Sequence, residues 1–293
     1  MKSKQYTVNK TAVRKMSDLH ANRGFRSTKV ISFTSGKGGV GKTSLACGTA
    51  LALTSQGNRV LLIDADLSLA NVDLMLGLTP KGTLKHVLTG DAKLKDILLT
   101  TSEGLDVIPA ASGFQELTAL NLAQKMLLQQ SLEELAHEYD FILLDTAAGI
   151  GSDVLFFNAA SHEVVCIVNR EPTSLTDAYA LIKVLSRSYG EKEVSILVNN
   201  VKDSGEAERT FARLQNAVDR FLHTKIKYLG FVPTDETVRE AVLGRTAFQT
   251  ASPSCQASLA VSRIAKTLEG SFYETSSKGG LQFLFDKLLE AEG

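Results

Sequence analysis

Tryptophan is missing altogether and aromatic residues make up only 6% of the 293 positions, so the chain has little from which to build a stacking platform for single-stranded nucleic acid. Neither charge is in surplus. Thirty-two Lys and Arg residues balance 32 Asp and Glu residues, leaving no net field to draw the protein toward a polyanion, and no direct nucleic-acid partner is expected. No run reaches the roughly 20 apolar residues of a membrane span. The N-terminus is basic (Lys2, Lys4, Lys10, Arg14, Lys15) but lacks an apolar core behind it, so it is not a secretory signal. Cysteine is scarce: Cys47, Cys166 and Cys255 lie far apart, with no CxxC pair and no histidine at ligand spacing. Cys47 and Cys166 fall inside apolar runs and read as small buried hydrophobes of a protein from a reducing cytoplasm.

What is there is ordinary globular material, 44% apolar and 22% charged, in a chain long enough for one large α/β domain. Residues 1–28 are a polar extension. The pattern then changes to short β-branched runs separated by helical ones. Strands are predicted at 30–34, 59–63, 105–108, 141–144, 164–168, 194–198 and 226–230. Helices are predicted at 43–55, 121–137, 175–188, 206–222, 236–243 and 255–268. Strands as continuously apolar as Val60-Leu61-Leu62-Ile63 need cover on both faces. The alternation predicts an α/β fold with a doubly wound, mostly parallel sheet flanked by helices over residues 29–270.

The strongest local signal is Gly36-Lys37-Gly38-Gly39-Val40-Gly41-Lys42-Thr43, a complete GxxxxGK[ST] between a predicted strand and a predicted helix. Glycines let backbone N–H groups turn inward around phosphates, and the helix that follows adds its N-terminal partial charge. Lys42 is expected to neutralise β- and γ-phosphate oxygens and Thr43 to bind Mg²⁺, with Ser44 completing the segment. Two strands end in carboxylates, at Asp64-Ala65-Asp66 and at Asp145. An Asp after four apolar residues suits a position that holds Mg²⁺ directly or through water.

Lys37 is not needed for that cradle. The stretch KGGVGKT resembles the deviant Walker A motif of the MinD/ParA ATPases, and LLIDADLSLANVD and LLDTAAGI are similar to that family's two switch segments. The resemblance implies an ATP-induced homodimer in which Lys37 reaches the partner's nucleotide. It also implies that Asp66 activates the attacking water, that Asp64 and Asp145 lie around Mg²⁺, and that Gly149 senses the γ-phosphate. Lys37, Lys42 and Asp66 are then the catalytic residues. Asn71 and Asp73 either contact the site or merely form a turn. In the same family an Asn placed as Asn199 is bonds the adenine edge, although an Asn at a strand end is as often a plain turn or cap. Pro233-Thr234-Asp235 resembles the segment whose backbone flanks the purine. No NKxD guanine signature is present, so the expected cofactors are ATP/ADP and Mg²⁺.

The segments ANVDLMLGLTPKGTL, IPAASGFQEL, EPTSLTDAYALIKVL and YLGFVPTDETVREAV together resemble the FlhG/FleN branch, MinD-like regulators of flagellar number. The resemblance covers about residues 28–270. It implies regulation of flagellar number, placement, gene expression or assembly. The partners it implies are the FlhF GTPase, an enhancer-binding transcription activator or C-ring proteins. The branch's N-terminal DQAxxLR motif is absent from residues 1–28. Residues 271–293 form a glycine hinge and an amphipathic stretch, Leu281, Leu284, Phe285 and Leu288 falling on one helical face. It resembles a membrane-targeting tail, which implies a cytoplasmic protein making reversible contact with the inner membrane face through residues 280–290. Its acidic character (Asp286, Glu290, Glu292) leaves docking on the protein itself open. A positioning or DNA-partition ATPase, an iron–sulfur carrier and a biosynthetic ligase are the competing readings.

Overall fold

The computed structural model describes residues 28–67, 69–110 and 120–272. In chain order the elements are β1 (Lys29–Ser35), α1 (Lys42–Ser55), β2 (Val60–Ala65), α2 (Val72–Met75), α3 (Leu84–Leu88), β3 (Leu99–Thr100), β4 (Asp106–Ile108), α4 (Leu122–Ala136) and β5 (Phe141–Ala148). They continue with α5 (Ser152–Ala159), β6 (Glu163–Val168), α6 (Pro172–Tyr189), β7 (Glu193–Val201), α7 (Ser204–Phe221), β8 (Lys225–Pro233), α8 (Glu236–Leu243), α9 (Phe248–Ala251) and α10 (Gln256–Phe272). The expected polar extension, hinge and C-terminal amphipathic stretch lie outside the described residues, as does most of IPAASGFQEL.

The strands form one sheet in the order β3-β4-β2-β5-β1-β6-β7-β8. Every pairing is parallel except that of the two-residue edge strand β3 with β4. The expected α/β architecture is borne out, with β3 as the antiparallel exception that two residues were too few to signal. Alternate side chains of a strand point to opposite faces, and here both faces are covered. Ile31, Phe33, Leu62, Leu143 and Ile167 pack against α1 and α10 on one side. Val30, Leu61, Ile63 and Leu144 meet α3, α4 and α5 on the other, and Val164, Cys166, Val194 and Ile196 meet α6 and α7. Double coverage is why these strands read as unbroken apolar runs.

Helix α5 was not predicted because Val154, Leu155, Phe156 and Phe157 are contiguous rather than periodic, and all four are buried. Helix α6 starts earlier than its apolar spacing suggested, with Pro172 in its first turn and Gly190 in the left-handed conformation closing it. At the base of the sheet, buried Lys29 donates to Glu163 (2.7 Å), to the Leu268 carbonyl (3.2 Å) and to Ser271 (2.8 Å). That network fixes the end of α10 beneath β1. Among the described residues no helix is long and apolar enough to cross a membrane.

Candidate nucleotide site

The carboxyl ends of β1, β2, β5, β7 and β8 point to one edge of the sheet, where open α/β sheets bind ligands. The turn after β1 is the phosphate loop. Gly39 and Gly41 adopt φ of 79° and 93°, a region that costs L-residues with a side chain about 1–2 kcal/mol. A Cβ at Gly38 or Gly39 would meet nothing within 4 Å, so the loop has an open face. Gly36 is the opposite case: a Cβ there would lie 2.2–2.5 Å from the backbone of Asp177 and Ala178. The loop therefore starts pressed against α6, within the EPTSLTDAYALIKVL block.

Helix α1 begins at Lys42 with no side-chain cap on its N-terminus and no acidic residue in its first turn. Fourteen residues of aligned peptide dipoles thus present unshared N–H groups to whatever sits in the loop. Lys42 runs back beneath the loop to Asp145, with Nζ 2.7 Å from Oδ1 and both groups buried. The Thr43 side chain also hydrogen-bonds Asp145, and Ser44 faces Met75 of α2.

Asp64 and Asp145 are register neighbours on β2 and β5. Burial first, and then the charge of Asp145, push Asp64 up to about 7. Burial also raises Asp145, against the pull of the Lys42 ammonium beside it. The Asp64 carboxylate is nonetheless well used. Oδ1 accepts from Asp66 N (3.1 Å), and Oδ2 accepts from Asn71 N (3.0 Å) and Val72 N (3.1 Å). It ties down the segment that carries Asp66 and starts α2. Asp66, partly exposed, accepts from Leu69 N through Oδ1 (2.9 Å). The Asn71 side chain donates to the Leu69 carbonyl (2.7 Å), forming a turn, whereas Asp73 is buried with Oδ1 lacking a hydrogen-bond partner. Gly149, at φ 98°, donates its N–H to the Ser35 carbonyl and so joins the second switch to the start of the phosphate loop.

Lys37 does not join Lys42 underneath the loop. Its Nζ lies 2.5 Å from Glu171 Oε2 and 3.0 Å from Thr173 Oγ1, both at the start of α6. The Lys37 charge and hydrogen bond hold the Glu171 carboxyl below its ordinary value. The sequence pointed to the block containing Glu171 and Thr173 without assigning either a role, because a contact across 134 residues leaves no local signal. Asn199, at the end of β7, donates from Nδ2 to the Val40 carbonyl (2.7 Å). Asp235 follows Pro233, the last residue of β8. Its side chain accepts from Thr237 N (3.1 Å), Thr237 Oγ1 and Ala257 N (3.1 Å), capping α8 and tying in the start of α10. The side chain is spent on these caps, which leaves the 233–235 backbone to line the site.

Two observations bear on metal and redox chemistry. Among the described residues no group of three or more His, Cys, Asp or Glu is placed to hold a metal ion. A divalent cation here would need phosphate oxygens to complete its shell, with Thr43 as the hydroxyl ligand and Asp64 and Asp145 nearby. Burial pushes the thiol of Cys47 well up and that of Cys166 to about 12, so both are packing residues.

A phosphate loop on a parallel sheet, an outlying second lysine and paired strand-end aspartates define the class: this is a P-loop ATPase of the MinD/ParA type. The model of the family described as AAA domain matches residues 28–197. The chain is 43% identical to the antiactivator FleN of Pseudomonas aeruginosa, covering 89% of this chain and 94% of that one. It is 33% identical to the flagellum site-determining protein YlxH of Helicobacter pylori, covering 91% and 92%. It superimposes on the septum site-determining protein MinD of Pyrococcus horikoshii, a complex with Mg-ADP, with a TM-score of 0.67 and 27% identity over 85% of this chain and 99% of that one. The chain belongs to the FlhG/FleN branch of the MinD/ParA family.

Proposed function

We propose that the protein is an ATP-dependent switch: Mg-ATP joins two copies, slow hydrolysis releases them, and the alternation regulates flagellar number or placement through flagellar gene expression or assembly. The observation that carries this reading is the separation of the two loop lysines. Lys42 is buried on Asp145, while Lys37 lies at the surface on Glu171 and Thr173. One lysine serves the nucleotide of its own chain, and the other is available to a nucleotide held by a second copy. Leu69 and Ile150, on the two switch segments, are 70% and 53% exposed. Apolar side chains displayed beside a nucleotide site suit a face that is covered in one state of the cycle.

The residues present fit the cofactor. The uncapped start of α1 and the open face of the loop suit phosphate, and Lys42, Thr43, Asp64 and Asp145 would hold its Mg²⁺. Magnesium, when bound, supplies positive charge to the phosphate oxygens. Asp66 orients and activates the water, kept in place by the Asp64 carboxylate that fixes its backbone. Asn199 and the 233–235 backbone complete the nucleotide pocket. The useful output is a shift of population rather than a product.

The flagellar side rests on the names carried by the Pseudomonas and Helicobacter relatives. Candidate partners are an enhancer-binding activator, the FlhF GTPase and C-ring proteins. A groove of about 270 Å³ between α6 and α7, lined by Leu175, Tyr179, Arg213, Leu214 and Phe221, is a surface such a partner could occupy. It starts one turn from the residues that hold Lys37. We place the protein in the cytoplasm, with reversible contact at the inner face of the membrane through residues 280–290. A balanced net charge disfavours the DNA-partition alternative.

The test is single-turnover hydrolysis in Asp66→Ala. The loss of a general base costs on the order of a hundredfold or more in rate, and Mg-ATP binding should persist. Hydrolysis at the wild-type rate would remove Asp66 from the mechanism.

A further inference from the structure

We propose that Asn199 serves the phosphates rather than the base, as a positioning residue that pins the Val40–Gly41 peptide of the phosphate loop. This rests on the nucleotide reading above and deepens it, by naming the part of the nucleotide that depends on Asn199.

The geometry is specific. Asn199 Nδ2 donates to the Val40 carbonyl at 2.7 Å, and Gly41, the next residue, sits at φ 93° as the N-cap of α1. A Cβ on Gly41 would lie 2.4 Å from that same Nδ2. Glycine at 41 is therefore required twice, for its backbone angle and for the close approach of the amide. The carbonyl and N–H of a trans peptide point in opposite directions. Holding the Val40 carbonyl toward β7 turns the Gly41 N–H the other way, toward the phosphates. A peptide ending in glycine reorients at little steric cost. Reoriented, it would present a carbonyl oxygen to an anion. No side chain caps the start of α1, so the bond from Asn199 supplies the restraint.

Asn199 is itself held. The β7–β8 register is irregular between Asn199 and Val201, and the extra residue, Asn200, takes φ 57°, a conformation Asn tolerates better than most residues. The Asn200 side chain accepts from Thr234 Oγ1 at 2.8 Å, and Thr234 N bonds the Val201 carbonyl. The bulge aims Asn199 at the loop, and the segment after β8 locks the bulge.

Calorimetric titration of the full chain with Mg-ATP, Mg-GTP and magnesium tripolyphosphate tests this. In Asn199→Ala all three ligands should weaken by the same factor, about tenfold for one lost hydrogen bond, with the preference for ATP over GTP unchanged. Thr234→Val, which removes only the hydroxyl that holds the bulge, should give the same equal losses at smaller size. It decides the matter if Asn199→Ala does not fold. A loss confined to ATP, with tripolyphosphate unaffected, would show a base contact and overturn the proposal; so would no change for any ligand. Failure of the wild type to bind ATP would instead overturn the nucleotide reading beneath it.

Discussion

Lys37 and Glu171 form an ion pair within one chain, Nζ to Oε2 at 2.5 Å, which ties the phosphate loop to the first residue before α6. The pair is exposed, 37% for the lysine and 52% for the glutamate, and such pairs are weak and screened by salt. A weak tether suits a lysine that has to leave. Glu171→Ala should release it and lower the protein concentration needed for ATP-dependent association by about two- to fivefold. Raising the salt should narrow the difference from wild type. Light scattering over a dilution series reads this, and an unchanged or weakened association would show that Glu171 does not hold Lys37 in reserve.

Asp64 makes the nucleotide-free protein sensitive to pH. Its folded pKa of about 7 lies above the value of about 4 in an unfolded chain, so the folded state binds the extra proton between those limits. Stability therefore falls as pH rises from about 4 to about 7 and is level above that. Between pH 8 and pH 6 the gain should be about 1.4 kcal/mol. Urea unfolding without nucleotide at the two pH values measures it, and Asp64→Asn should lose the slope. A slope of opposite sign in the wild type would contradict the burial of Asp64 beside Asp145.

Glycines of the loop should differ sharply in tolerance. Gly36→Ala drives a methyl group into the backbone of Asp177 and Ala178, which cannot rotate away, and should cost about 2–3 kcal/mol. Gly38→Ala meets open space and should leave unfolding unchanged while impairing phosphate binding. Equal stability losses at the two positions would mean that the loop does not pack on α6.

How much of this was legible in the sequence follows from how local each feature is. The phosphate loop, β2 with its terminal carboxylates and β5 are contiguous, and each was readable from a handful of residues. Runs such as Val60–Ile63 carried the double coverage in their composition. What escaped was long-range or too short. Lys37 meets Glu171 across 134 residues and Asn199 meets Val40 across 159. Strand β3 has two residues, and α5 buries a solid apolar block in place of a stripe. Asp64 read as a metal-site carboxylate; its three backbone N–H partners become visible only once the chain turns back at Asn71 and Val72.

Phe221 is 58% exposed at the end of α7, with the Arg220 guanidinium 5.2 Å from its ring centre. It contributes little to the core, so Phe221→Ala should leave folding and ATP turnover intact. If the α6–α7 groove receives the flagellar activator, affinity for it should fall at least about tenfold, as for an aromatic anchor at an interface. Titration of the activator against both proteins separates the two outcomes, and equal affinity would place the docking surface elsewhere.

The central claim is that ATP joins two copies through Lys37. Size-exclusion chromatography with light scattering, with Mg-ATP and with Mg-ADP, tests it on the wild type, Asp66→Ala and Lys37→Ala. The account predicts a dimer with ATP, trapped in Asp66→Ala, absent with ADP and absent in Lys37→Ala. A monomer under every condition with ATP demonstrably bound, or a Lys37→Ala protein that dimerises like the wild type, would contradict it.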